Sequence, residues 1–302
     1  MDNGNEIRDF LVSRRARISP EQAGLPAYGG NRRVAGLRRE EVALLAGVSI
    51  DYYVRLERGR APGASESVLE GIARALQLDE AERAHLFDLA RASAAAPASR
   101  APRRAAGQRV RPSVRRVLDS MTTTPAYVRN ARLDILAANQ LGAALFAPLL
   151  TSPAQPASSA RFLFLDPAAP AFYTDWERQA QDVVAMLRTE AGQNPNDKAL
   201  SNLIGELSTR SENFRLWWAA HNVRFHRTGV KRLHHPVVGD LTLTFEALDL
   251  AADAGLRISA YTAEPGTPSD DALKLLATWA ATLDQADDQA GQSPGPGPGR
   301  TV

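Results

Sequence analysis

The stretch 37–59, LRREEVALLAGVSIDYYVRLERG, constrains this chain more than any other. Val42, Leu45 and Ala46 share one face of a helix that begins near Arg38. Gly47 takes a positive φ at little cost, so the helix is predicted to end there. Val48 is apolar and expected to point inward, and Ser49 is a good N-cap for a second helix. That helix turns Tyr53 and Leu56 inward, and Ala43 is small where the two helices would cross. Two short helices about a glycine-containing turn make a helix-turn-helix layout. More helices are predicted on either side. Ile7, Phe10, Leu11 and Arg14 follow a 3–4 spacing before it. After it, one helix starts at the Ser65 cap and buries Val68, Leu69, Ile72 and Leu76. Another runs from about Asp79 to Arg91 through Leu86, Phe87 and Leu89.

Charge divides the chain. Residues 1–91 carry 14 Arg against 14 acidic residues. Residues 92–112 carry five Arg (Arg100, Arg103, Arg104, Arg109, Arg111) and no acid, among three prolines. That composition predicts an extended basic linker. Residues 113–282 hold most of the aromatics, including all four Trp, and are expected to form a second domain. Residues 283–302, with PGPGPG and no large apolar side chain after Leu283, cannot bury enough surface to offset chain entropy and are expected to be disordered.

Within 113–282 the period changes twice. Residues 125–137 predict two short strands around a tight Asn130–Ala131 turn, followed by a helix over 139–146 and a polar loop over 151–159. Three helical rows come next: Tyr173, Trp176, Ala180, Val183, Leu187 and Ala191; Leu200, Leu203, Ile204 and Leu207; Phe214, Trp217, Trp218 and His221. Then Leu241, Leu243 and Phe245 alternate with Thr242, Thr244 and Glu246. Leu256, Ile258 and Ala260 alternate with Arg257, Ser259 and Tyr261. With about 225–235 these form an antiparallel meander, and a last helix spans roughly 269–282. The expected fold class is α+β in two domains. An all-α, phage-repressor-like helix-turn-helix domain precedes a PAS-like antiparallel sheet with its helices over one face.

The small residue, Gly, Val, Ser cap and terminal Glu-x-Gly of 37–59 resemble the helix-turn-helix of the XRE (xenobiotic-response-element) family. The resemblance implies binding to double-stranded operator DNA, with the second helix in the major groove. Its DNA-binding set here is Arg38, Arg39, Ser49, Ile50, Asp51, Arg55 and Arg58. Ile50, Asp51 and Arg55 would face base edges, Arg55 bonding guanine O6 and N7 together. Asp51 either accepts from cytosine N4 or merely caps its helix. Arg39 matches the phosphate-contacting position, with Arg38 and Arg58 as neighbours, unless these are solvated surface charges. Glu57 is expected to pair internally with Arg14. Residues 20–36 depart from the plain pattern as an insertion bearing Arg32 and Arg33.

Across 113–282, PAYVRNARLDILAAN, FYTDWE, GELSTRSENF, HHPVVGDLTLTFEAL and YTAEPG resemble the MmyB-like ligand-binding domain of bacterial regulators. With the helix-turn-helix, the resemblance covers nearly all of 1–282; it departs at Asn222, where the family has Asp, and at APGA (61–64), where the family has a shorter turn with a basic residue. The resemblance implies a transcription regulator sensing a small lipid-like or acyl ligand. From the residues, the ligand would lie between the sheet face and the aromatic helices. The candidates are Trp176, Val183, Leu187, Phe214, Trp217, Trp218, His221, Phe245 and Tyr261. His221 is either a polar handle for a head group or a core histidine satisfied by backbone, and the aromatics are either lining or core.

A metal hydrolase is the rival. His221 and His226 are five apart and diverge on a helix, and adjacent His234 and His235 point to opposite faces of a strand. No HExxH, GxSxG or Gly-rich phosphate loop is present, and there is no cysteine. No enzyme, metal or cofactor is expected. A regulator controlled by a protein partner instead of a small molecule is the other alternative. No run approaches the ~20 apolar residues of a membrane span, and no signal peptide opens the sequence, so a cytoplasmic, nucleoid-associated homodimer without membrane contact is expected.

Overall fold

Capping and apolar spacing place the elements where the chain can satisfy both. The computed structural model describes residues 3–26, 34–60, 63–94, 109–223 and 228–291. Five helices come first: α1 (Asn3–Arg17), α2 (Arg39–Ala46), α3 (Ile50–Glu57), α4 (Glu66–Ala75) and α5 (Glu80–Ala94). Then come α6 (Pro112–Asp119), β1 (Ala126–Arg129) and β2 (Ile135–Ala138). Next are α7 (Gln140–Leu145), α8 (Ala147–Leu150), α9 (Ser159–Leu165), α10 (Ala169–Phe172), α11 (Trp176–Gln193), α12 (Lys198–Arg210) and α13 (Glu212–Ala219). The chain closes with β3 (Thr228–His235), β4 (Gly239–Asp249), β5 (Arg257–Thr262) and α14 (Pro268–Gly291).

These elements pack as two units. One combines the described residues of 1–107 and 180–226, the other those of 108–179 and 227–302. These units do not follow the expected sequence boundaries at 1–91 and 113–282. Residues 180–223 pack with the first helices, and Val223 lies in one core with Ile7, Phe10, Leu37, Val42, Tyr53, Leu56, Ile72 and Leu86. In that core α4 comes so close to α2 that a Cβ on Gly71 would sit 2.6 Å from the Ala46 carbonyl oxygen.

The other unit is built on a five-stranded antiparallel sheet of order β2-β1-β5-β4-β3. Its inner face carries Lys231, Leu233 and His235 of β3 beside Leu241, Leu243 and Phe245 of β4. Tyr261 pairs with Phe245, and Ser259 with Tyr127. The expectation that helices cover one face alone is corrected. Val114 and Leu118 of α6 pack on the opposite face against Val128, Leu256 and Ile258. Both faces of β5 are thus buried, so Ser259 and Tyr261 are inward residues rather than the polar alternates of Ile258.

The β1–β2 connection is longer than the tight turn expected. It runs from Asn130 to Asp134, with Leu133 at φ 64°, because the Asn130 side chain accepts from the Arg132 and Asp134 amides. Residues 92–94 close α5 and Pro112 opens α6, so the linker is shorter than expected, and its Arg100, Arg103 and Arg104 lie outside the described residues. Helix α14 continues to Gly291, beyond the expected end at 282, and the Ala and Gln residues there have good helix propensity. The remainder of the expected tail, 292–302, lies outside the described residues, as do Arg32, Arg33 and His226.

Candidate nucleic-acid interface and ligand site

The turn between α2 and α3 takes the expected form. Gly47 has φ 68°, and the amides of Gly47 and Val48 bond the Leu44 and Ala43 carbonyls at 3.2 and 3.0 Å. Ser49 caps α3 by accepting from the Tyr52 amide at 3.2 Å. Tyr53, Leu56 and Glu57 face inward, while Ile50, Asp51, Arg55 and Arg58 lie exposed. The Arg55 guanidinium stands 5.8 Å from the centre of the Tyr52 ring. Arg38 is the N-cap residue of α2, and the side chains of Arg38 and Arg39 are about half exposed.

Glu57 fixes this arrangement. Its side chain is 1% exposed and bonds the Nε of Arg15, at 2.9 Å, and the Nε of Arg39. One buried carboxylate thus ties α3 to both α1 and α2. The expected Glu57–Arg14 pair is corrected: Arg14, one residue from Arg15 on the helix, points away and pairs with Glu82 of α5 at 2.8 Å. Arg15 also bonds the Leu37 carbonyl at 2.8 Å, holding the approach to α2.

A second polar cluster occupies the other side of α1. Arg188 of α11 is 1% exposed. Its Nη1 donates to Glu6 at 2.8 Å and lies 2.9 Å from His221 Nδ1, and its Nη2 donates to the Trp218 carbonyl. The guanidinium lies 4.0 Å over the Trp218 ring, which stacks on Phe214 at 5.6 Å. Arg14 donates to the His221 carbonyl at 2.5 Å, and Arg17 to the Ala220 carbonyl at 3.1 Å and to Asn222. His85 of α5 is 2% exposed, edge-on to Phe10 at 5.1 Å, and a Cβ on Gly192 would strike its ring at 2.7 Å. Burial holds Arg14 and Arg188 down to about 10. Burial, then the Arg188 and Arg14 charges, pushes His85 down to about 3 and His221 to about 4.

The expected helical placement of His221 is therefore corrected. That residue does not share a helical face with Phe214, Trp217 and Trp218, because α13 ends at Ala219 and His221 follows at φ 53°. A left-handed conformation costs a β-carbon residue of order 1 kcal/mol, and here the Arg14 and Arg188 bonds hold it. Trp218 and His221 are engaged by Arg188.

Of the nine ligand candidates, Val183, Leu187, Phe214, Trp217, Trp218 and His221 belong to the first unit, and Trp176, Phe245 and Tyr261 to the second. The sheet's inner face brings Phe245 and Tyr261 to 6.1 Å, and Trp176 Nε1 donates to the Leu163 carbonyl at 2.9 Å. Sequence reasoning missed the rest of that face. Tyr261 Oη bonds Tyr127 Oη at 2.9 Å, and Phe146 packs on both rings at 4.9 and 5.1 Å. Burial, then Tyr127, raises the Tyr261 phenol well above its ordinary value. Buried Lys231 donates to Gln179 at 2.5 Å and lies 5.7 and 5.5 Å from the Tyr173 and Phe245 ring centres. The signal for Lys231 was a lone cation on the inward parity of β3.

His234 and His235 do point to opposite faces: His234 pairs outside with Asp240 at 2.6 Å, and His235 is buried. The Val237 amide donates to His235 Nδ1 at 3.2 Å, so its Nε2 carries the proton given to the Ala144 carbonyl at 3.1 Å. Among the described residues no helix is long and apolar enough to cross a membrane.

Two family models match the chain. A helix-turn-helix domain matches residues 14–86, and the MmyB-like transcription regulator ligand binding domain matches residues 110–276. No curated protein matches.

Proposed function

The chain belongs to the family of the MmyB-like transcription regulator ligand binding domain, and from that premise we propose how this DNA-binding transcription regulator reads its operator and what it senses. Helix α3 enters the major groove. Arg55 reads a guanine, Ile50 meets a thymine methyl, and Asp51 stands at the start of the helix. Arg38, Arg39 and Arg58 take phosphates, with Ser49 holding the helix end at the groove. The exposed row on α3, braced from behind by buried Glu57, carries this reading. The first 91 residues balance 14 Arg with 14 acids, so phosphate attraction from one copy is weak. A homodimer on a two-fold operator supplies the second set.

The second family region takes a small acyl ligand with an anionic head. The Lys231 ammonium beside the Tyr173 and Phe245 rings supports this, with Tyr261, Phe146 and Tyr127 continuing the aromatic cluster from Phe245. The strand order and its helical interruption support the PAS-like reading. Mass spectrometry of the purified chain, intact and after solvent extraction, tests the ligand. A bound acyl acid, reduced in Lys231→Met, is expected. Its absence from the intact protein would favour control by a protein partner, for which Leu275 and Trp279 stand exposed one turn apart on α14.

A further inference from the structure

Helix α1 has two working sides. One side holds the reader: Arg15 bonds Glu57 of α3 and the Leu37 carbonyl ahead of α2. The other side holds residues that the family match assigns to the ligand-binding region. Glu6 takes Arg188, Arg14 takes the His221 carbonyl, and Arg17 takes Ala220 and Asn222. These contacts are specific. Arg188 is wholly buried, and its two terminal nitrogens reach a carboxylate of α1, the Trp218 carbonyl and the His221 ring. Val223 then enters the same apolar core as Phe10 and Leu56. Backbone approach at Gly192 to His85 brings α11 against α5 as well.

We propose that Arg188 is a positioning residue for DNA reading: it clasps residues 180–223 onto α1, so the ligand-binding family region supplies part of the support on which α3 is held to the groove. Neither end touches DNA. The route runs from Arg188 to Glu6 on α1, from α1 through Arg15 to Glu57, and from Glu57 to α3 and Arg39. The proposal rests on α3 being the base-reading helix, and it adds a place where release of a segment changes affinity without altering base preference.

The test uses the full chain and the DNA duplex enriched by that chain from random fragments. Arg188→Met should bind this duplex about tenfold more weakly while selecting the same bases. Amide exchange over 212–223 and α1 should quicken at least tenfold, with β3, β4 and β5 unchanged. Glu6→Gln should move both readouts the same way by less, and Arg188→Lys should recover part of each. Faster exchange over 212–223 with wild-type affinity, in Arg188→Met or Glu6→Gln, would overturn the proposal. Should Arg188→Met fail to fold, Glu6→Gln decides it by the same criterion. A wild-type chain that enriches no duplex would overturn the reading of α3 and this proposal with it. Wild-type binding with unaltered variants would overturn this proposal alone.

Discussion

The outward row of α3 and the buried row of α11 use the same guanidinium chemistry to opposite ends. Arg55 lies exposed beside one ring. Arg188 is 1% exposed and bonded to a carboxylate, a carbonyl and an imidazole. An arginine left in solvent adds little to folding but stays ready for a guanine or a phosphate. A buried arginine is tolerated when its donors are met, and removing one partner then costs far more than the pair contributed. Arg55 is thus a candidate for a partner, and Arg188 is a strut.

The sharpest way to break the comparison is at Glu57, where a buried carboxylate holds an inner and an outer arginine. Glu57→Ala should lower unfolding free energy by about 3–5 kcal/mol, measured by denaturant titration. A loss below about 1 kcal/mol would mean that α3 is held by apolar contacts alone.

Acid should separate the two regions next. His85 and His221 are faced by Arg14 and Glu6 of α1, Glu82 of α5, Arg188 of α11, and Arg17. Both imidazoles stay neutral in the folded unit, at about 3 and about 4, whereas they protonate near 6.5 when unfolded. Their stabilisation is therefore complete above pH 6.5 and is lost as pH falls through the folded values. The slope is up to about 1.4 kcal/mol per pH unit for His85, and less for the more accessible His221. Melting curves between pH 7.5 and 4.5 check this, and His85→Leu should flatten the dependence.

Arg55→Ala should behave oppositely to both. It should cost about 1–3 kcal/mol on the preferred duplex and relax one base position. Its effect on melting should stay within about 0.5 kcal/mol. The smallest effect belongs to Ser49→Ala, which removes one cap bond and should cost about 1 kcal/mol in unfolding.

The same contrast explains what the sequence let through. Gly47, Ser49, Tyr53 and Leu56 carry local signals, since turn, cap and apolar spacing are set within a few residues. The alternation of Leu241, Leu243 and Phe245 is equally local, and all three lie on the buried face. What stayed hidden depends on distant partners. Arg188 to Glu6 spans 182 positions, and Arg14 to the His221 carbonyl spans 207. Nothing near Glu57 distinguishes Arg14 from Arg15 as its partner. One clue was present: Arg188 extends the row of Ala180, Val184 and Leu187, so a cation sat in an apolar stripe of α11. The helical end at His221 was misjudged because its φ of 53° answers to tertiary bonds and not to helix propensity.

The most direct measurement of the central claim is the selection of random DNA fragments by the purified full chain, repeated with Arg55→Ala. A two-fold related sequence should be enriched by the wild type, with preference at one base position per half-site lost in the variant. Failure to enrich any sequence, or an identical profile from both proteins, would contradict α3 as the operator-reading helix.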